Sequence, residues 1–239
     1  FFRHIRRNLM ETGKTGKYFK YAIGEIILVV IGILIALQIN NWNQDKQNKI
    51  YEKKMLSEVL DDLKLDSTMI ETQLNRIKYF EKSIDTVIKA SNDLSLLDAN
   101  SIRLFGGVYF ILNTKTLETI KSGNVQIPFD DELRKKITSH YHKSKFYIDL
   151  MSLEDEKYFD QWSFPIEKKY FKIVQDTSSE TFDIDPVPID IKLLHSSSEF
   201  NDFVLRRKSR VIRWKWAYEN INNSTFETIT AISDYLETN

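Results

Sequence analysis

The hydrophobic pattern of the chain is dominated by one unbroken apolar run, Ile26 to Leu37, in which no side chain carries a polar atom. Extended to Tyr21–Ile39 it has 19 residues, or about 28 Å of helix at about 1.5 Å per residue. Basic and aromatic residues flank it as they flank membrane spans: Lys17, Tyr18, Lys20, Tyr21 and Trp42. We therefore predict a transmembrane anchor over residues 21–43. A signal-peptide core and a buried helix of a soluble protein are the alternatives, but no small-x-small cleavage site follows the run.

After Trp42 the apolar residues recur at multiples of three, four or seven positions, which is the spacing of one helix face. This predicts a long helix over residues 44–89, which can continue the membrane helix. We expect it to pack in a bundle rather than a coiled coil, because later helices also need a partner for their apolar faces. The positions that define the stripe are Leu56, Val59, Leu63, Ile70, Leu74, Ile77, Ile84 and Ile88.

The remaining elements are predicted from breakers and capping signals. Pro186 and Pro188 oppose both a helix and a central strand, so residues 175–191 are expected to be irregular, with no hairpin predicted. Ser196 and Glu199 have the spacing of a capping box. The predicted helices cover residues 101–112, 114–122 with Gly123 as its cap, 130–161 ended or kinked at Pro165, and 196–236.

These elements predict an all-α fold, with one N-terminal transmembrane helix followed by a helical-bundle-like extracytoplasmic domain with long helices. We divide the chain into a basic cytoplasmic head (1–20), the anchor (21–43) and an α-helical periplasmic domain (44–239).

Composition excludes several kinds of site. The 239 residues include no Cys, which excludes disulfides, thiolate zinc sites, iron–sulfur clusters and a Cys nucleophile. The seven Gly residues form no phosphate-binding loop motif.

The formal net charge of zero is the sum of a positive N-terminal part and a negative remainder. Residues 1–43 carry six basic and two acidic side chains, a net of +4, and the rest of the chain carries −4. Positive charge before a span favours a cytoplasmic N-terminus, which leaves the body outside the cytoplasm. We therefore expect a single-pass protein of the bacterial inner membrane with a periplasmic C-terminal domain.

The segment Tyr21–Asn43 (YAIGEIILVVIGILIALQINNWN) and the basic start Phe1–Arg6 resemble the N-terminal anchor of an uncharacterised membrane-protein family common in Bacteroidota. The stretch Thr116–Leu133 (TLETIKSGNVQIPFDDEL) resembles the more variable body of that family. The resemblance implies a single-span inner-membrane protein with an α-helical periplasmic domain, and it implies no activity. Because the chain begins at Phe1 rather than at Met, we expect a few native residues to precede it.

Glu25 is the most unusual residue of the anchor, since a carboxylate within a span is costly and is by default a functional hypothesis. Gly32 and Ala36 form a small-xxx-small pair, which lets a second helix approach closely. Three interpretations remain open for Glu25: it faces an oligomer or partner, it pairs with Lys17 or Lys20 at the interface, or it lines a proton or ion pathway. The candidate helix-association face comprises Glu25, Val29, Gly32, Ala36, Gln38 and Asn40.

Catalytic signals are poor. His140 and His142 point about 200° apart on a helix, so they cannot share a metal ion, and we interpret both as solvated. His195 stands beside three serines without a nucleophile-elbow motif, and helix capping explains those serines better. Adjacent carboxylates, such as Asp61 with Asp62 and the run 154–156, are interpreted as solvated faces. We predict no enzyme, no metal and no cofactor.

The strongest positive stretch lies in the last helix and is interleaved with tryptophans. One interpretation pairs its arginines with acidic helix faces, such as Glu58, Asp61 and Asp62, while Arg207 and Trp214 face inward. The other is a site for a protein partner or an envelope polymer, while a body outside the cytoplasm argues against nucleic acid. The candidate partner-binding patch comprises Arg206, Lys208, Arg210, Arg213, Lys215 and Trp216.

Two functions remain as hypotheses. The first is a membrane-anchored structural or interaction protein of the cell envelope, which contacts the lipid bilayer and associates with itself or with other envelope proteins. The alternative is a subunit of an ion-conducting, proton-conducting or signal-transmitting membrane complex that uses Glu25. The sequence indicates no small-molecule substrate, and a hydrolase would need a cleft with clustered carboxylates or histidines.

Overall fold

The structure is a computed structural model that describes residues 15–90, 104–122, 130–173 and 186–238. Helices form almost all of it, which confirms the all-α class. The predicted cap Gly123, Pro128 and most of the predicted irregular stretch lie outside the described residues. In chain order the elements are α1 (Thr15–Ala90), α2 (Lys115–Ser122), α3 (Asp131–Tyr158), α4 (Phe164–Tyr170), β1 (Phe171–Ile173), β2 (Pro186–Pro188), α5 (Ile191–Ser196) and α6 (Ser198–Thr238).

The chain divides into two compact units, Phe1–Lys54 and Met55–Asn239. The helix α1 runs through residues of both, so the predicted membrane helix and the predicted helix 44–89 are one element. In the first unit the apolar side chains between residues 26 and 37 are all exposed. α1 contains a stretch that is long and apolar enough to cross a membrane, and the described residues bury none of it.

In the described part of the second unit, a hydrophobic core cluster joins the second half of α1 to α3 and α6, and residues 104–110, α4, β1 and α5 also contribute to it. Six of the eight predicted stripe positions on α1 are fully buried, and Leu74 and Ile88 are partly buried. Two contacts show the relative direction of α3 and α6. His140 of α3 contacts Ser224 of α6, whereas Asp155, later in α3, contacts Arg210, earlier in α6. In the same way, Glu81 of α1 bonds to Lys215 of α6, and Asp85, later in α1, bonds to Lys208, earlier in α6. α6 is therefore antiparallel to both other long helices.

The predicted helix over residues 101–112 is wrong. Residues 104–114, which we call the edge segment, contain no helix where the structure describes them. Gly106 has a φ of 90°, which lies outside the helical region and suits Gly because it lacks Cβ. Side chains then alternate along the chain: Val108 and Phe110 are buried, whereas Tyr109 and Ile111 are exposed. An extended conformation thus places every second apolar residue in the core.

The helix α3 begins at Asp131, where Asp130 caps it by accepting a hydrogen bond from the backbone N–H of Glu132. It passes through a π-helical turn at Phe159–Ser163 directly into α4. Pro165 therefore does not end the helical path. It lies in the first turn of α4, directly after the π-helical turn in which the N–H of Phe164 bonds to the carbonyl of Phe159.

Two short strands and a shifted cap complete the second unit. β1 and β2 pair antiparallel, with Lys172 opposite Val187. In this two-stranded ladder both prolines of β2 occupy an edge strand, which is where the missing N–H is tolerated. The predicted capping box is displaced by one residue: Ser196 ends α5, and the Oγ of Ser197 accepts a hydrogen bond from the N–H of Phe200 at 3.2 Å.

Candidate functional site

The predicted helix-association face lies on the exposed part of α1. Glu25, Val29, Gly32, Ala36, Gln38 and Asn40 are all solvent-exposed. A Cβ added at Gly32 would meet no atom within 4 Å. The small pair of Gly32 and Ala36 is therefore open to an approaching helix, and its role in association stays a prediction.

The predicted basic patch is divided by the structure. Arg210 is only 1% exposed, so its guanidinium is not part of a surface. Lys208 bonds to Asp85 at 3.2 Å, and Lys215 bonds to Glu81 at 3.1 Å, which ties α6 to α1. These two lysines thus pair α6 with α1 through Asp85 and Glu81, whereas the interpretation concerned the arginines and named Glu58, Asp61 and Asp62.

The other members of the patch remain at the surface. Arg206 pairs with Asp202 at 2.8 Å and lies over the ring of Trp162, with 3.8 Å between its guanidinium carbon and the ring centroid. Arg213 lies 3.8 Å from Glu154. Trp216 is about half exposed and packs edge-to-face on Tyr147. Partner binding by these exposed residues stays a prediction.

A buried charge cluster joins α3 to α6. Arg210 donates hydrogen bonds to the carboxylates of Asp155 and Glu154, and to the backbone carbonyl of Met151 at 2.6 Å. The indole N–H of Trp214 also donates to Asp155, at 3.0 Å. Burial raises the pKa of Asp155, and the bonds from Arg210 and Trp214 oppose that rise. The interpretation of residues 154–156 as a solvated face is therefore wrong for Asp155.

Arg207 is a second buried cation, and it faces inward as predicted. It is 0% exposed, and its guanidinium carbon lies 4.6 Å from the ring centroids of both Phe80 and Trp214. One nitrogen donates to the carbonyl of Gly106 at 2.7 Å, whereas Nε and the other terminal nitrogen have no partner in the described part of the chain. Burial lowers the pKa of Arg207 to about 10. Its visible role is to hold the edge segment against α6.

The interpretation of His140 as a solvated histidine is also wrong, whereas His142 is exposed as predicted. His140 is 1% exposed, and its Nδ1 lies 3.0 Å from the hydroxyl of Ser224. Burial lowers its pKa to about 4. Within the described residues, no group of three His, Asp or Glu side chains is arranged to hold a metal ion.

Two aspartates of α1 hold the far end of the edge segment. Asp66 is fully buried and accepts bonds from the backbone N–H of Asn113 at 3.2 and 3.3 Å. Asp62 accepts from the amide of Asn113 at 2.9 Å, and from the N–H and hydroxyl of Thr116. Burial raises the pKa of Asp66 to about 7; the bond from Asn113 opposes this, and the charge of Asp62 adds to it.

A concave feature of the second unit, which we call the α3 groove, runs along one face of α3 between that helix and the edge segment. It has a volume of about 490 Å³. Met151, Ala217, Tyr218 and Ile221 contribute to its apolar lining. Three carboxylates also line it, Asp149, Asp155 and Glu156, and none of the described basic side chains does so.

Sequence reasoning missed Asp66, Asp155 and His140 as buried polar groups. A weak signal exists for Asp66, because it lies three residues after Leu63 and four before Ile70, within the buried stripe. Asp155 likewise lies four residues after Met151. Periodicity alone places these side chains inward, but their charge outweighed it in our prediction.

Residues 25–174 match the profile of a family described as a family of unknown function, DUF6090, so more than half of the chain is covered. No curated protein and no solved structure matched the chain significantly.

Proposed function

We propose that this chain, which belongs to the DUF6090 family of unknown function, is a single-pass inner-membrane protein whose helical domain is an interaction module of the cell envelope. The N-terminus is cytoplasmic and the C-terminal domain is periplasmic. The protein associates with itself or with other envelope proteins through its anchor and its helical domain.

The observation that carries the proposal is the exposed apolar surface of α1. Between residues 26 and 37, ten Ile, Leu and Val side chains are each about half exposed or more. Covering one such side chain contributes about 1.5–3 kcal/mol when it is complete, so the whole surface represents on the order of 10 kcal/mol. A lipid bilayer supplies that cover along the full circumference of the helix.

The anchor also supplies the contact surface for association. Lipid provides no hydrophobic drive between helices, so close packing through small residues decides where they meet. Gly32 and Ala36 lie on one face at i, i+4 spacing, and none of the described residues has an atom within 4 Å of a Cβ added at Gly32. Gln38 and Asn40 add side-chain amides that can hydrogen-bond across two helices.

Membrane fractionation and crosslinking test the proposal. We expect the full chain to remain in the membrane fraction after carbonate extraction, and crosslinking in intact membranes to trap discrete oligomers. Gly32→Leu and Ala36→Leu should reduce the crosslinked fraction at least threefold, because a larger side chain separates the helices. Gly24→Leu is the matched control, as it makes the same change about 80° around the helix.

Two results would contradict different parts of the proposal. Release of the chain by carbonate would show that residues 21–43 do not anchor it in the membrane. Equal crosslinking in all three variants would instead be compatible with the anchor, but it would show that the helices do not associate through the face of Gly32 and Ala36.

The alternative function uses Glu25 in an ion-conducting, proton-conducting or signal-transmitting complex. It is favoured by the exposure of this carboxylate on the apolar surface of α1. Glu25→Gln keeps the shape and removes the charge, so it should abolish proton uptake by vesicles containing the protein. Uptake unchanged by the substitution, or absent from the wild type, would exclude a proton or ion role and leave the interaction module.

A further inference from the structure

The alternating burial of Val108–Leu112 in the edge segment indicates an extended stretch, and it is assigned to no sheet. Its side chains alternate between buried and exposed, with Tyr109 67% and Ile111 82% exposed. Among the described residues, no hydrogen bond reaches the main chain of Val108, Phe110 or Leu112. The stretch therefore has the form of a β-strand without a neighbouring strand.

The two edges of this stretch differ. The backbone N–H of Tyr109 donates to Gln73 at 3.3 Å, and that of Asn113 donates to Asp66, so one edge faces α1. Peptide groups of an extended chain point alternately to its two edges. The N–H and C=O groups of Val108, Phe110 and Leu112 therefore point away from α1.

The free edge lies along the α3 groove, which Val108 and Phe110 line from one side. The opposite wall is α3 from Tyr147 to Glu156 with Phe159 of the π-helical turn, and Tyr218 of α6 forms part of the lining between them. The ring of Phe110 contacts that of Tyr218 at a centroid distance of 6.4 Å. An apolar depression thus runs beside a row of unpaired main-chain donors and acceptors.

We propose that the α3 groove binds an extended segment of a partner protein, which adds as a strand to the free edge of Val108–Leu112. This inference rests on the proposed interaction function and names its site in the helical domain. Main-chain hydrogen bonds supply affinity in this kind of recognition, and alternate side chains supply specificity. Every second residue of the guest segment is apolar, because it faces Phe110, Met151 and Tyr218.

The charges of the groove select a basic guest. The titratable acids among its lining residues are Asp149, Asp155 and Glu156, of which Asp155 is paired with Arg210. Asp149 pairs with Lys145 at 3.0 Å in an exposed ion pair, and Glu156 is exposed. A guest with lysines flanking its apolar positions therefore gains attraction, whereas an acidic guest is repelled.

Peptide binding to the full chain in phosphatidylcholine nanodiscs tests this inference. The probe is a fluorescein-labelled, capped Lys-Val-Thr-Val-Thr-Val-Lys peptide, measured by fluorescence anisotropy. We expect saturable binding that falls at least tenfold when alternate backbone nitrogens of the peptide are methylated. Methylation removes the main-chain donors but leaves the side chains unchanged.

Two substitutions locate the site. Ser152→Trp fills the groove from α3 and should weaken binding at least tenfold, whereas Leu153→Trp changes an adjacent exposed residue outside the groove and should not. A second probe has the same sequence with Asp in place of both Lys. Glu156→Lys should weaken binding of the lysine-flanked peptide and strengthen binding of the aspartate-flanked peptide, a reversal that misfolding cannot produce.

Other results would overturn the inference. Equal binding of the methylated peptide would exclude strand addition. A co-purifying fatty acid that the peptide does not displace would assign the groove to an acyl chain, and crosslinks between two copies at position 152 would assign it to a second copy. Absence of peptide binding from a chain that resists carbonate extraction would refute this inference alone. Peptide binding by a chain that carbonate releases would refute only the anchor.

Discussion

At the scale of single residues, Asp66 and His140 are two buried titratable groups with opposite effects. The folded-state pKa of Asp66 is raised to about 7, and that of His140 is lowered to about 4. As the pH rises from about 4 to 7, Asp66 therefore destabilises the fold increasingly, because its carboxyl group ionises more easily in the unfolded chain than in the folded chain. As the pH falls from about 6.5 to 4, His140 destabilises the fold increasingly, because its imidazole is protonated at a higher pH in the unfolded chain than in the folded chain.

The two contributions oppose each other between pH 4 and pH 6.5. Each amounts to about 3 kcal/mol over that window. Relative to the wild type, Asp66→Asn should gain about 3 kcal/mol of unfolding free energy as the pH rises from 4 to 6.5. His140→Asn should lose about as much over the same range. The measurement is denaturant unfolding of the full chain in nanodiscs, followed by tryptophan fluorescence.

Exposed neighbours provide matched controls for these variants. Asp61→Asn and His142→Asn make the same chemical changes on solvent-exposed positions of the same helices. Both should follow the wild-type pH profile to within about 0.5 kcal/mol. Parallel profiles for Asp66→Asn and the wild type would show that Asp66 titrates near its ordinary pKa.

At the scale of elements, the start of α6 depends on one hydroxyl. The Oγ of Ser197 accepts from the N–H of Phe200 and lies 2.8 Å from the hydroxyl of Tyr170. The Oγ of Ser196 instead bonds to the carbonyl of Leu193 within α5. The cap of α6 is thus also a link to α4.

Ser197→Ala should therefore lower the unfolding free energy by about 1–2 kcal/mol, which is the usual cost of losing a capping hydroxyl. Ser196→Ala is the control and should cost less than about 0.5 kcal/mol. Equal midpoints of denaturant unfolding for the two variants would contradict the cap. A larger loss of unfolding free energy for Ser196→Ala than for Ser197→Ala would instead support the capping box of Ser196 and Glu199 that the sequence predicts.

The edge segment is the element that sequence reasoning misassigned. Its uninterrupted apolar residues satisfy a buried helix and a buried strand equally well, and a short run does not distinguish them. The choice is decided by contacts distant in the chain, namely Arg207 at Gly106, and Asp66 at Asn113. The α3 groove exists only because this segment is extended, so no local pattern indicated it.

At the scale of the whole molecule, the second unit is held by charged bonds as well as by its apolar core. The buried stripe of α1 and the inward positions of α3 and α6 were largely predictable, because helical periodicity reports burial directly. The partners of Arg210 and Lys215 were not predictable, because a single sequence does not tell which helix faces which. The exposed apolar stretch of α1 was predictable from length and hydrophobicity alone.

The buried pair of Arg210 and Asp155 should behave as one unit. Arg210→Met should lower the unfolding free energy by about 3–5 kcal/mol, because it leaves Asp155 buried without its cation. The double variant Arg210→Met with Asp155→Leu should cost less than the sum of the two single variants, by at least about 1 kcal/mol. Denaturant titrations of the four proteins measure this coupling.

Lys145→Ala serves as the control, since its ion pair with Asp149 is exposed and should contribute less than about 1 kcal/mol. Additive costs in the four-protein cycle would mean that Arg210 and Asp155 stabilise the fold independently of each other.

The edge segment also determines how the protein responds to heat. Residues 104–114 carry no charge and no proline, and they include the run Val108–Leu112 of strong strand formers. Because unfolding exposes this run, we expect neighbouring molecules to stack through it as in cross-β aggregates before the chain refolds. A thermal scan then records the rate of crossing the unfolding barrier, and its midpoint shifts with the heating rate. We accordingly expect the stability of this protein on storage to be set by its unfolding rate, and a midpoint independent of the heating rate would contradict this.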